Sequence, residues 1–136
     1  MTATYLGIVE LHTVCHDLRR RNERLFETLG RWVVSTDDPA LQQLIAEACH
    51  RHAWHAELWA ARTPTVPIDE PEIASRPALD DADRAGSYRT VLAEMQSDLD
   101  AVAARVDRRL DPSTSRVVDL VSADLAALEA RAAALG

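Results

Sequence analysis

The chain has 136 residues, of which 47% are hydrophobic and 27% charged, with a net charge of −7. That is length enough for one domain, 1–136, with a real core and no need of disulfides or structural metal. The acidic balance argues against a nucleic-acid partner, because such affinity comes from basic side chains displacing counterions around phosphates. No stretch approaches the roughly 20 apolar residues of a membrane span, and no basic segment followed by an apolar core opens the chain, so a cytoplasmic protein without a membrane partner is expected.

From about residue 4 to 34, Leu11, Cys15, Leu18, Leu25, Leu29 and Trp32 recur at steps of three and four, or sums of them. That is the spacing of one helical stripe. Arg19, Arg20, Arg21 and Arg24 sit on this segment and are read as a solvated face paired with Asp17, Glu23 and Glu27. Ser35-Thr36-Asp37 makes a turn, with Asp38 as N-cap and Pro39 at the first helical position. A second helix is predicted over 39–62, with Leu41, Ile45, Ala48, His52, His55 and Trp59 inward.

Residues 63–79 carry Pro64, Pro67, Pro71 and Pro77 without periodicity, which predicts an extended crossover able to reach roughly 50 Å at ~3.3 Å per residue. A third helix is predicted over 80–110, with Tyr88, Leu92, Met95, Leu99, Val102 and Val106 inward. Gly86 weakens its first turns, and Ser87 is an alternative start. Asp111-Pro112 opens a fourth helix over 112–135, with Val117, Val121, Leu125, Leu128, Ala132 and Leu135 inward. The expected fold is all-α, a four-helix bundle of two helical hairpins joined by a long Pro-rich crossover. Cys15 and Cys49 would lie about 13 Å apart along such a hairpin, at ~1.5 Å of rise per residue. That is too far for a disulfide, and reduced thiols are expected.

Residues three apart on a helix share a face, so His52 and His55 both point inward with the second helix's apolar stripe. Asn22 interrupts the stripe of the first helix. Antiparallel pairing about the turn near Thr36 brings it level with His52, so three polar groups converge in the core. His12 and His16 have a chelating i,i+4 spacing but are read as a solvated or interface pair, and His50 as exposed. Trp54 faces away from the stripe, which suggests a homodimer contact or another protein partner.

The first hairpin resembles the first half of a ferritin-like di-iron carboxylate protein, in which a glutamate on helix one faces a Glu-x-x-His on helix two. Asn22 stands at the glutamate place and His52-Ala53-Trp54-His55 at the Glu-x-x-His place, so His55 alone matches the motif. The two Asp-Pro starts are 73 residues apart, and that offset maps Asn22, His52 and His55 onto Met95, Leu125 and Leu128. A di-iron site needs carboxylates from all four helices, so no di-iron centre is expected. Asp98 and Asp124 lie beside their stripes and are not expected at the site.

Three readings of the layer follow. It is a polar core network, a site for one divalent transition metal (Fe, Zn or Cu) ligated by Asn22, His52 and His55, or an acid–base site in an apolar pocket. The functional expectation is a ferritin-like bundle acting as a binding or interaction protein, able to hold one metal. The alternative is a metal-dependent enzyme of oxidase or hydroxylase type. No glycine-rich phosphate loop, nucleophile elbow or Cys-x-x-Cys is present, and no catalytic residue is assigned.

Overall fold

The computed structural model describes residues 4–72, 76 and 78–135, and these are all-helical, with four α-helices and no strand. The helices are α1 (Ile8–Val33), α2 (Pro39–Arg62), α3 (Arg84–Ala103) and α4 (Pro112–Ala134), and one 3₁₀ turn (Asp81–Asp83) leads into α3. Among the described residues, no helix is long and apolar enough to cross a membrane.

The stripes read from the sequence form the core. Leu18, Leu25, Leu29 and Trp32 of α1 meet Ile45, Ala48 and Trp59 of α2, with Tyr88 through Leu99 of α3 and Val117 through Leu128 of α4 closing the interior. Leu11 and Leu41 are half-buried, and Leu135, expected inward, is exposed just past the end of α4.

The α1–α2, α3–α4 and α2–α4 pairs pack closely. Arg62 meets Asp111 at 3.4 Å where α2 ends and α4 begins, and Arg131 near the end of α4 pairs with Glu47 near the start of α2. These two helices therefore run antiparallel. α1 and α3 are also antiparallel but do not pack closely, and arginines span the gap between them. Arg105 reaches Glu10 at 2.7 Å, Arg21 reaches Asp98 at 2.8 Å, and Arg84 reaches Thr36 at 2.8 Å.

The third helix is shorter than its periodicity suggests. It stops at Ala103 rather than near residue 110, because other acceptors and donors claim the backbone there. The carbonyl of Arg105 accepts from Leu6 N–H at 3.0 Å. The Asp107 carboxylate accepts from the N–H groups of Arg109 and Leu110, a local bond that competes with helix continuation. Val106 is thus half-buried outside the helix. The start differs too: Asp83 caps α3 by accepting from Gly86 N–H at 3.1 Å. A Cβ on Gly86 would lie 2.2 Å from that carboxylate, so glycine is what lets the cap close so tightly.

The two Asp-Pro starts are not equivalent. Asp111 accepts from Thr114 N–H at 3.2 Å, whereas Asp38 occupies the N-cap without a side-chain bond. Asp111→Ala is therefore expected to cost about 1 kcal/mol of unfolding free energy, and Asp38→Ala roughly a few tenths. Urea denaturation checks this, and equal losses at the two positions would contradict it.

Candidate functional site

Asn22 and His52 meet as the hairpin register predicts. Asn22 Nδ2 donates to the carbonyl of Leu18 at 2.8 Å one turn back, which turns its Oδ1 toward His52 Nδ1, also at 2.8 Å. An amide oxygen only accepts, so Nδ1 carries the proton and Nε2 is a bare acceptor. Tyr88 supplies the hydroxyl that donates to it, at 2.8 Å from α3. A closed chain results, from Tyr88 O–H to His52, from His52 to Asn22, and from Asn22 to backbone.

All of this is uncharged, and its surroundings keep it so. His52 and Asn22 are fully buried and Tyr88 nearly so. Burial, helped by the neighbouring His55, lowers the His52 pKa from the usual 6.5 to about 3, because the low-dielectric interior penalises the imidazolium. Burial likewise raises the Tyr88 phenol, with Glu129 adding to the effect. Tyr88 stood in the predicted stripe as a packing residue. Its hydroxyl role was missed, although a buried tyrosine needs a partner for its O–H.

His55 is engaged differently. Its Nε2 lies 2.8 Å from Asp124 Oδ2 on α4, which corrects the expectation that Asp124 stays outside the site. Asp124 sits at the edge of its helix face, and the close packing of α4 on α2 brings it within reach. Arg51 approaches the same carboxylate at 3.7 Å. Desolvation lowers the His55 pKa despite the opposing hydrogen bond and charge of Asp124. The contact is therefore a neutral imidazole N–H on a carboxylate. The other nitrogen, Nδ1, is buried without a partner among the described residues, as is Trp59 Nε1 one turn further along α2.

Of the three proposed ligands, Asn22 is committed to His52 and His52 to Asn22 and Tyr88, and of these His55 alone presents a ring nitrogen without a partner among the described residues. No three His, Cys, Asp or Glu side chains group as a metal site among the described residues. The positions opposite in the second hairpin, Met95, Leu125 and Leu128, are buried apolar side chains. The two irons implied by the family resemblance need bridging carboxylates that this donor set does not contain.

The remaining candidates shift. His16 is buried and His12 half-buried rather than solvated; their rings stack with centroids 6.3 Å apart, and His12 Nδ1 donates to the Pro64 carbonyl at 2.7 Å. The segment that follows α2 begins against this face of α1. Trp54, expected to be exposed, is half-buried and tilted against His55. Both cysteines are free; Cys15 is buried, which pushes its thiol up to about 12, and Cys49 is half-buried. His50 is exposed.

Arg21 departs most from its reading as part of a solvated face. It is only 6% exposed and donates from Nη1 to Asp98, with Asp17 at 3.8 Å. Beside it, between α1 and α3, lies a groove of about 480 Å³. Leu25, Val91, Met95 and Leu79 give it an apolar floor, and Arg24, Arg76, Glu27 and Glu94 are among its charged lining residues. No sequence pattern announced it, since it arises where two helices stand apart.

No protein-family model, curated protein or solved structure matches this chain.

Two outcomes test the polar layer. Tyr88→Phe leaves a buried imidazole lone pair unmatched and is expected to cost about 1–3 kcal/mol, read by urea denaturation at pH 7. Because the His52 pKa is lower folded than unfolded, its contribution to stability is complete above about pH 6.5 and declines as pH falls toward 3, with a slope near 1.4 kcal/mol per pH unit per proton. His55 shifts in the same direction and adds to the decline. Stability that is flat between pH 7 and pH 4 would contradict neutral buried histidines.

Proposed function

We propose that this chain is a ferritin-like four-helix bundle of two helical hairpins that lacks the di-iron constellation and acts as a small-molecule binding protein. The groove between α1 and α3 is its ligand site. Close packing of α2 on α4, and contacts that join the end of α1 to the start of α3, support a crossover running the length of the bundle.

One observation carries the binding reading. A groove of about 480 Å³ with an apolar floor falls in the size range of small-molecule pockets, roughly 300–1,000 Å³. The histidine layer then has a structural part: it holds α1, α2 and α3 in register through directional bonds that an apolar layer would lack. Interaction with a protein partner or a second copy has less support, because Trp54 packs partly inside.

The alternative, a metal-dependent enzyme, has one observation in its favour. Asp124 orients His55 through Nε2 and leaves Nδ1 bare, the arrangement in which a carboxylate steadies a metal-ligating histidine. The other ligands for such a metal would have to come from solvent, substrate or a second subunit.

Two measurements on protein purified without a histidine tag decide between these. The binding reading expects saturable uptake of the neutral apolar dye Nile red, weakened at least about tenfold in Val91→Trp, which fills the groove, with helicity by circular dichroism unchanged. It also expects metal content far below one ion per chain. Near-stoichiometric metal that disappears on His55→Ala, with no dye uptake, would replace it with the enzyme reading.

A further inference from the structure

The charged groups around the groove are not equivalent in depth. Arg24, Glu27, Asp80 and Glu94 are exposed, and Arg76 is half-buried and held in a two-pronged contact with Asp17 at 3.0 and 3.3 Å. Asp80 is further occupied, its carboxylate accepting from Ala82 N–H at 2.9 Å. Arg21 is the one buried charge on the wall among the described residues.

Its guanidinium is also incompletely used. Nη1 serves Asp98, while Nε and Nη2 have no acceptor within hydrogen-bond distance among the described residues. A guanidinium presents five N–H donors in a planar fork, so most of this one's capacity is left for something in the groove. Arg24, one turn along α1, makes no ion pair among the described residues and adds a second cation at the same wall. Arg24 and the carboxylates of Glu27 and Glu94 all belong to the solvated rim, where each charge contributes little. A charge-assisted bond to the sheltered Arg21 is the stronger kind.

Resting on the groove as the ligand site, we infer that its ligand is an anionic amphiphile: a carboxylate-like head takes the free donors of Arg21 with Arg24 beside it, and an apolar body lies over Leu25, Val91 and Met95. A medium-chain carboxylic acid is the simplest member of this class. The apolar floor supplies burial, and the arginine fork selects the sign of the head.

The test is displacement of bound Nile red from the full chain by three ligands of equal chain length, decanoate, decanol and decyltrimethylammonium, each below its micelle concentration. Decanoate is expected to displace the dye at least about tenfold more effectively than decanol, with the cation weakest. Arg21→Gln should reduce that advantage severalfold and Arg24→Gln by less, with helicity unchanged. Raised salt should reduce it as well. If Arg21→Gln perturbs the fold, Arg21→Lys keeps the charge toward Asp98 but loses the fork, and carries the test. Equal displacement by decanoate and decanol, a preference for the cation, or an advantage insensitive to Arg21→Lys would overturn the inference and leave the groove standing as a site. Failure of Nile red itself to bind would remove the site and the inference together.

Discussion

A buried imidazole with both nitrogens bonded is the constraint around which the interior is arranged. His52 has no water to turn to, so each of its ring atoms must find a partner in the chain. Asn22 of α1 and Tyr88 of α3 provide them at 2.8 Å each. Apolar side chains slide over one another at little cost, whereas a chain of hydrogen bonds tolerates only small shifts. The layer therefore sets the axial level of three helices at once. His55 extends this to the fourth by reaching Asp124. Four helices with smooth aliphatic stripes have several ways to pack, and this polar layer satisfies its bonds in one of them.

The same arrangement needs no counter-charge at its centre. Asn22 and His52 are both uncharged and satisfy each other by hydrogen bonding, so the pair carries no charge that would have to be offset. Desolvation then lowers the His52 pKa, since among the described residues no carboxylate beside it would stabilise the imidazolium. Opposite the layer, Met95 and Leu125 close the core as ordinary packing.

The gap between α1 and α3 follows from a different economy. Three of the bundle's seams are closed by apolar interlock, but the fourth is spanned by the long side chains of Arg105, Arg21 and Arg84. Arginine can hold two helices together while its stem and planar head keep them apart. The groove lies between the levels of Arg21 and Arg84, and Arg76, Ala78 and Leu79 line it from the segment before α3. Placing a buried arginine there gives the molecule its one sheltered cation at the wall of its groove, among the described residues.

The helices, their inward faces and the Asn22–His52 level were legible in the sequence, because local periodicity, Asp-Pro starts and hairpin register all act over short spans of chain. The early end of α3 was not, because the Leu6 amide and the local turn at Asp107 claim backbone groups that periodicity leaves to the helix. Asp124 and Arg21 were misjudged for a related reason. A residue at the edge of a helical stripe is inside or outside according to how neighbouring helices approach, and spacing along one helix is silent on that. Sequence alone thus determined which apolar stripe each helix turns inward. Tertiary packing decided which polar groups pair across helices, through His52–Tyr88, His55–Asp124 and Arg21–Asp98, and opened the groove, because both depend on distances between helices rather than on order along the chain.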